Sequence, residues 1–427
     1  MADRFAGWER SECLGVPVLT CRDERRKTFR VTLLLRRPLD ASAAARFLIP
    51  RLLVQGTLRD PDRPALLRRM ERLYGASALP GLVKLGESQV LSFSLDAVAG
   101  AVLPGAPDQL GEGLHLLGDL LTRPRLEGAA FPPAVFARER EQAVAEVRAI
   151  ADDKGAYAAE RAVAELCAGE PYARPEHGGL QALEACTAAG TEAARWELLA
   201  HGEALLLAAG ALPAEGIAAH AGPLLSGFPT RLPQLMPPPV LVAARAPRRV
   251  CERMPLRQGK LALLFRFPSP STADGWIGRR LFASLLGGGP HSRLFTELRE
   301  KRSLCYYAHA APDRHKPVLF VHTGLDPAAA PAAEAEILRA SAELAAGGFS
   351  AQEFATAKAQ AISALRSVDD SLASRIAFAA DQWWAATDRD PATQADAYAR
   401  ATPGQVVAAV AGMHYDGSYL LAPEAAP

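Results

Sequence analysis

The sequence lacks three features that would each point to a particular class of protein. It has no apolar run long enough to cross a bilayer, since the longest, near residues 204–212, is short and is followed by a proline. It has no excess charge of one sign, because 48 Lys and Arg residues balance 47 Asp and Glu residues. Its six cysteines include no Cys-x-x-Cys pair. These absences argue against a membrane span, a broad nucleic-acid-binding surface and a zinc ribbon or redox motif.

The N-terminal residues also lack the pattern of a secretory signal. Residues 1–16 contain neither a basic segment followed by an apolar one nor a cleavage site of small residues. The apolar content of 49% and the charged content of 22% are ordinary for a globular protein. We therefore expect a cytoplasmic protein with sizeable cores and with reduced, mostly buried cysteines.

The most informative feature that is present is an internal repeat. The segment 131–153 resembles the segment 349–370, and identical residues recur between them at a constant offset of 218. Upstream, the strand-like segment that ends at Pro38 corresponds to the one that ends at Pro268, at an offset of 230. A repeat of this length sets the architecture of the whole chain.

Each half reads in the order strand, helix, helix, strand and helix pair. This order predicts an α+β fold of two homologous domains, each a mostly antiparallel sheet with helices on one face. The prolines between the halves predict an extended linker. We expect an N-terminal domain over 1–228, the Pro-rich linker over 229–240 and a C-terminal domain over 241–427. Two such domains would form a clamshell with a ligand-binding cleft.

One segment of the second half carries a family resemblance. Residues 287–309 contain Ser-Arg-Leu-Phe, Leu-Arg-Glu-Lys and a following Tyr, and closely resemble the second-domain signature of the pitrilysin/insulinase family of inverzincin peptidases. Supporting likenesses extend the resemblance over about residues 15–415. It implies two similar α+β halves that hold an unfolded peptide along a sheet edge through main-chain hydrogen bonds.

The zinc motif of that family is missing. Active members carry His-x-x-Glu-His on a helix of the first half, where histidines at i and i+4 bind one Zn²⁺ and the Glu acts as general base. Aligned on the Gly-Thr at 56–57, these positions hold Phe47, Pro50 and Arg51, and a frame shifted by one residue is no better. A guanidinium stays protonated and cannot bind a metal. We therefore expect no metal in this chain, and zinc only on a partner chain.

The distal Glu that serves the family as third zinc ligand corresponds to Glu146. Without its histidines this carboxylate has two structural interpretations. It is either a residue on the solvated face of its helix or the partner of Arg51 in an ion pair. The ion pair would place a fixed positive charge where zinc stands in active members.

The resemblance also implies two substrate-binding residues in the second half. The Arg of Ser-Arg-Leu-Phe and the Tyr after Leu-Arg-Glu-Lys correspond to Arg293 and Tyr306, with Tyr307 as the alternative frame. An arginine can bind a peptide carbonyl or carboxylate, and a phenol can donate a hydrogen bond to a developing oxyanion. The structural alternative is that the apolar residues of this segment belong to a core and its charges to a solvated helix face.

Together, these features resemble the Arg/Tyr-bearing subunit of bacterial heterodimeric peptidases, of the type associated with elongation factor P modification. The resemblance implies a non-catalytic, substrate-binding subunit that is not an enzyme by itself. Its partner would be a zinc-bearing homologous subunit and its substrate an unstructured peptide, with no nucleic acid and no membrane. The alternative is a structural or peptide-binding scaffold of the same fold with no linked peptidase activity.

Overall fold

The computed structural model describes residues 4–103, 105 and 108–424. The outermost residues of the two predicted domains, 1–3 and 425–427, lie outside this part of the chain. The strands are β1 Arg4–Phe5, β2 Trp8–Cys13, β3 Val16–Arg22, β4 Thr28–Pro38, β5 Ser77–Leu85, β6 Ser88–Val98, β7 Glu203–Gly210, β8 Arg248–Met254, β9 Gly259–Arg266, β10 Cys305–Pro312, β11 Val318–Leu325 and β12 His414–Pro423. The α-helices are α1 Ala43–Leu53, α2 Arg63–Arg72, α3 Gln109–Thr122, α4 Pro133–Ala149, α5 Lys154–Leu166, α6 Leu180–Glu184, α7 Ala188–His201, α8 Gly222–Leu225, α9 Ala273–Gly287, α10 Ala330–Ala345, α11 Ala351–Arg366, α12 Leu372–Trp384, α13 Pro391–Arg400 and α14 Pro403–Ala409.

The described residues divide into two compact units. Unit 1 contains the chain up to Arg148 together with 176–237 and 368–390. Its sheet has seven strands in the order β1-β2-β3-β7-β4-β6-β5, with β3 and β7 parallel and the other neighbours antiparallel. The central strand β4 alternates along an apolar run, so that Leu33 and Leu35 enter the main core while Leu34 enters a smaller core on the opposite face.

Unit 2 contains residues 149–175, 238–367 and the described residues after 390. Its sheet has five strands in the order β10-β11-β9-β12-β8, with β8 and β12 parallel. This order repeats β5-β6-β4-β7-β3 of unit 1, including the single parallel pair. The prediction of a duplicated α+β fold is therefore confirmed.

The two units do not follow the halves of the sequence as contiguous ranges. Helix α5 comes from the first half but packs on β9 and β12 of unit 2, whereas α12 comes from the second half and packs on β4 and β7 of unit 1. The two helices correspond at the same offset of 218 that relates α4 to α11. Small buried residues, Ala162 on α5 and Ala380 on α12, face these sheets. Each half of the sequence thus supplies one helix to the other unit, on the sheet face opposite the main core.

The Pro-rich segment between the halves lies without regular secondary structure. Residues 229–247, all of which the structure describes, form neither helix nor strand. The amide of Leu232 donates to the carbonyl oxygen of Ala200 at 2.9 Å, and that of Gln234 to His201 at 3.0 Å. The start of this segment is therefore hydrogen-bonded to the end of α7.

All six cysteines are free thiols, but the expectation that most of them are buried is wrong. Only Cys167 and Cys305 are buried. Cys251 is exposed because it lies on β8, the outermost strand of its sheet, where one side of the strand is open.

Candidate functional site

Helix α1 carries the three positions that correspond to the zinc motif. Phe47 and Arg51 are one helical turn apart, and the guanidinium carbon of Arg51 lies 5.2 Å from the centroid of the Phe47 ring. Pro50 is buried inside the helix and has no amide hydrogen to donate. None of the three side chains is a zinc ligand, so this set does not fit the metal.

Arg46, the first position of the shifted frame, has a structural role. Its buried guanidinium donates to Gln89 Oε1 and to the carbonyl oxygen of Pro38, both at 2.7 Å, and pairs with Asp40 at 3.0 Å. Burial lowers the pKa of Arg46, and the nearby Asp40 carboxylate opposes that change. The residue anchors α1 to the ends of β4 and β6.

The ion pair that the sequence suggested between α1 and α4 is present. Arg51 Nη1 donates to Glu146 Oε1 at 3.0 Å, and Nη2 donates to the second carboxylate oxygen. Because the Glu146 side chain is 49% exposed, the pair contributes little to folding stability. Its consequence is chemical, since the guanidinium of Arg51 is paired with the carboxylate that the sequence resemblance aligns with the third metal ligand of the family.

A histidine that the motif does not include lies beside this pair. The His177 ring packs edge-on against Phe47, with 6.1 Å between ring centroids. His177 is buried, and its Nδ1 accepts a hydrogen bond from the amide of Gly179 at 3.2 Å. Within the described part of the chain, no group of three or more His, Cys, Asp or Glu side chains is arranged to hold a metal ion.

In unit 2, Arg293 is engaged by neighbouring helices. Its guanidinium donates to Glu343 at 2.8 Å, to Glu353 at 2.9 Å and to the carbonyl oxygen of Gly348 at 2.9 Å. Burial alone would lower the pKa of Arg293, but the hydrogen bonds to the two carboxylates outweigh it and raise the pKa. The side chain that was expected to bind substrate is therefore committed to contacts inside its own unit.

Tyr306 and Tyr307 differ in their surroundings, although both lie on β10. The ring of Tyr307 rests against Gly324, and the ammonium of Lys260 lies 5.3 Å from its centroid. Tyr306 lies at a β-bulge, between the paired positions 305 and 307, and is 61% exposed. Tyr306 is the more exposed of the two, since Tyr307 is 39% exposed, and β10 is one of the two outer strands of its sheet.

The sequence reasoning did not single out Arg299, which lies on the same segment. Residues 295–301 form a π-helical turn, and the guanidinium carbon of Arg299 lies 4.8 Å from the centroid of the Phe295 ring. Arg299 is exposed, whereas Arg293 is largely covered. The signal in the sequence was the Arg of Leu-Arg-Glu-Lys itself, which was treated as part of a solvated helix face.

Strand β5, one of the two outer strands of the sheet in unit 1, was also not predicted from the sequence. Strand β5 pairs with β6 on one side only and ends the order of the sheet. Beside it is a cavity of about 420 Å³, lined by α2 and by the start of β5. Leu67, Tyr74 and Leu79 add exposed apolar surface to this region. Helix α1, which carries the degenerate zinc positions, contacts the same strand.

Comparison with known proteins bears directly on this arrangement. Residues 201–361 match the family described as "Peptidase M16 inactive domain". The "probable inactive metalloprotease YmfF" of Bacillus subtilis is 28% identical to this chain over 314 residues, which are 74% of each protein. None of the helices in the described ranges has the length and apolar character needed to cross a membrane.

Two solved structures share the fold over nearly the whole chain. A conserved protein from Enterococcus faecalis superposes with a TM-score of 0.90 at 22% identity, over 98% of this chain and 99% of that one. The peptidase M16 inactive domain from Pseudomonas fluorescens superposes with a TM-score of 0.81 at 20% identity, over 98% and 99%. The match to the M16 inactive domain and the homology to an inactive metalloprotease fit a zinc-less member of the M16, or pitrilysin/insulinase, peptidases.

Proposed function

We propose that this chain is a non-catalytic, peptide-binding subunit that acts together with a zinc-bearing homologue. One asymmetry carries the proposal. In unit 1 the metal positions are filled by an ion pair between Arg51 and Glu146, whereas in unit 2 the phenol of Tyr306 remains exposed on an outer strand. A chain that cannot activate water but still presents hydrogen-bond donors is suited to complete the site of another chain. The cytoplasmic location expected from the sequence belongs to the same proposal.

Strand β5 supports the peptide-binding part of this proposal. An outer strand has unpaired main-chain groups, and an extended peptide can add to it with little dependence on peptide sequence. The adjoining cavity of about 420 Å³ can accept an apolar side chain of such a peptide. Proline has no amide hydrogen, so Pro80 cannot donate a main-chain hydrogen bond to an added peptide. Such a peptide would pair continuously with β5 only before and after this residue.

The role in the shared site falls to exposed donors of unit 2. Tyr306 can donate a hydrogen bond to the oxyanion that forms when a peptide carbonyl is attacked. Arg299 has an exposed guanidinium that can bind a peptide carbonyl or carboxylate. Arg293 remains a candidate for the same role, but it would first have to leave Glu343 and Glu353.

A peptide-binding scaffold without linked peptidase activity is the second candidate. The observation that favours it is the commitment of Arg293 to two carboxylates and a carbonyl group, which is typical of a structural residue. Under this alternative the segment 291–307 stabilises unit 2, and Tyr306 is an ordinary surface residue.

The test is reconstitution with a homologous chain that carries His-x-x-Glu-His. Purified chains are mixed, complex formation is followed by light scattering, and cleavage of an unstructured fluorogenic peptide is measured. Under the proposal the mixture cleaves the peptide and neither chain does so alone. Tyr306→Phe lowers kcat by about 100-fold while the complex stays intact, because one oxyanion donor is lost.

Matched variants separate the roles of the two arginines. Arg299→Ala is expected to lower cleavage more than Arg293→Ala, and Lys301→Ala on the same segment serves as the control with unchanged cleavage. Tyr307→Phe is the control for Tyr306→Phe. Two results would favour the scaffold function instead. One is a zinc-bearing chain that is equally active alone. The other is a mixture whose cleavage activity is unaffected by Tyr306→Phe and by both arginine variants.

A further inference from the structure

The outer edge of the parallel strand pair is completed in unit 1 but not in unit 2. In unit 1, β2 pairs with the free side of β3 in antiparallel register, with Glu9 opposite Thr20 and Cys13 opposite Val16. In unit 2, β8 takes the place of β3, and among the described strands it pairs with β12 alone. The side chains of Arg249, Cys251 and Arg253 on β8 are correspondingly exposed.

The groove behind β3 is also filled in unit 1. Residues 211–228, which follow β7, are called here the filling segment. Its Ile217 and Leu224 are completely buried in the main core of unit 1. Helix α8 within this segment packs against α3.

Close approaches locate the filling segment between α3 and β3. A Cβ atom on Gly118 of α3 would meet the carbonyl oxygen of Pro223 at 2.7 Å, so glycine is needed for this contact. At the other end, a Cβ atom on Gly216 would lie 3.7 Å from the hydroxyl oxygen of Thr20 on β3. The segment therefore spans the space between the helix and the outer strand of the parallel pair.

The corresponding space in unit 2 is a cavity of about 440 Å³, called here the unit 2 groove. It lies between β8 and α10, the counterparts of β3 and α3. Its walls include the apolar residues Leu261, Leu338 and Leu420. Its volume is within the range of ligand-binding cavities. An apolar surface of this kind is left in water, whereas its counterpart is covered by aliphatic residues of the same chain.

The two charged residues in the wall of the groove, Arg249 and Glu334, are already paired with each other. Glu334 accepts hydrogen bonds from Arg249 Nε at 2.9 Å, from the Tyr415 hydroxyl at 3.0 Å and from Ser418 Oγ at 3.0 Å. An occupant therefore does not need a charge of its own to balance this carboxylate. The arginines of β8 at the same time oppose unselective pairing of its open edge. Recognition in the groove thus rests on aliphatic side chains.

We propose that the unit 2 groove binds a short aliphatic segment of a partner polypeptide, in the way that the filling segment occupies its counterpart in unit 1. The internal duplicate supplies the argument for this occupant, because the same strand and helix are covered there by a loop with buried isoleucine and leucine side chains. The proposal is independent of the β5 edge, of Arg299 and of Tyr306.

The chain itself provides the probe for this proposal. A synthetic peptide with the sequence of residues 211–228 is added to the full-length protein, and the rate of alkylation of Cys251 is followed by mass spectrometry. Cys251 lies in the wall of the groove and is exposed, so an occupant shields it. Saturable slowing of its alkylation is expected, while alkylation of Cys186 in unit 1 is unchanged.

Two variants and one altered peptide make the result specific. Ala335 is exposed on α10 at the groove, so Ala335→Glu should leave the fold intact and weaken peptide binding by at least about tenfold, through a charge in an apolar site. Leu338→Met should bind the peptide as the wild type does. A peptide with aspartate in place of its two adjacent leucines should not protect Cys251.

Three outcomes would overturn the proposal. The first is that Cys251 gains no saturable protection at peptide concentrations up to about 1 mM, the level of a very weak complex. The second is equal protection by the aspartate-substituted peptide or in Ala335→Glu. The third is protection that rises with protein concentration in the absence of peptide, together with a doubled mass, which would make a second copy of this chain the occupant.

Discussion

Strand β3 of unit 1 and strand β8 of unit 2 hold the same place in their sheets, next to the single parallel partner. Strand β3 is covered by β2 on its edge and by residues 211–228 on its face, whereas β8 is exposed and adjoins a cavity of about 440 Å³. The strand order of the duplicated fold is thus retained in both units. The two units differ in the segments that surround this fold, which cover β3 in unit 1 and leave β8 exposed in unit 2.

The site residues show a second difference between the units. In unit 1, the positions that the sequence resemblance aligns with the zinc motif hold Phe47, Pro50 and Arg51, and Arg51 forms an ion pair with Glu146. Unit 2 has kept an exposed tyrosine at the bulge of its outer strand. The proposed absence of metal chemistry in unit 1 and the proposed donor role of unit 2 rest on different residues, so each can be tested separately.

The largest expected effect concerns the helices that each half of the sequence supplies to the other unit. Ala162 on α5 and Ala380 on α12 occupy equivalent buried positions against β9 and β12 and against β4 and β7. A glutamate at either place would bury an unpaired charge and should lower the free energy of unfolding by about 3–5 kcal/mol. Hydrogen exchange should show that Ala162→Glu weakens protection of β9 and β12 in unit 2, and Ala380→Glu that of β4 and β7 in unit 1.

The exposed alanines of the same helices are the matched controls. Ala156→Glu and Ala377→Glu should change stability by less than about 0.5 kcal/mol. If Ala162→Glu instead loosened the sheet of unit 1 first, the assignment of α5 to unit 2 would be incorrect.

An intermediate effect is expected from restoring the metal site. The triple variant F47H/P50E/R51H places two histidines one turn apart on the face of α1 that contacts Glu146, and removes the guanidinium that pairs with it. We expect about one zinc ion per chain by elemental analysis. Zinc at 100 times its Kd should then raise the free energy of unfolding by about 2.7 kcal/mol.

The same triple variant with Glu146→Gln is the control, and it should bind zinc more weakly because it lacks the third ligand, the carboxylate. Metal content no higher than that of the wild type in the triple variant would show that α1 and α4 do not present a tetrahedral set. In that case the two units would differ in backbone geometry and not only in side chains.

Part of this organisation could be read from the sequence. Strands β4 and β9 each contain an apolar run, and α4 and α11 share a constant offset, so the duplication is visible in residues that repeat. The pairing of Arg51 with Glu146 was also accessible, because the family motif defines which helix faces meet. Repeated residues, and residues that deviate from a known motif, can both be recognised within short segments of the sequence.

Other features left no local signal. Strand β5 was missed because Pro80 and Gly81 interrupt the pattern of a strand. Periodicity shows that α5 has an apolar face, but not which sheet the face covers. The partners of Arg293 are Glu343 and Glu353, which are far from it in the sequence, so its commitment to them follows only from the packing of α10 and α11.

The smallest effect, about 1.4 kcal/mol at pH 5.5, separates the two units by their response to pH. His322 lies on β11 opposite His309, and the equivalent residue on β6 of unit 1 is Ser92. Burial, and then the neighbouring His309, lowers the pKa of His322 to about 4.

In the unfolded chain the pKa of this histidine is near its ordinary value of about 6.5. Between pH 4 and 6.5 the folded state therefore binds fewer protons than the unfolded state. The stability of unit 2 should therefore be complete above about pH 6.5 and fall as the pH decreases towards 4, by at most about 1.4 kcal/mol per pH unit.

Fluorinated tryptophan can report each unit during urea denaturation, because Trp276 lies in unit 2 and the other four tryptophans lie in unit 1. In the wild type, the urea concentration at the unfolding midpoint reported by Trp276 should decrease as the pH is lowered from 6.5 to 4. His322→Ser, which introduces the unit 1 residue, should flatten this decrease without affecting the midpoint seen at Trp8. If the decrease persists in His322→Ser, a different titrating group destabilises unit 2, and this histidine does not account for the difference between the units.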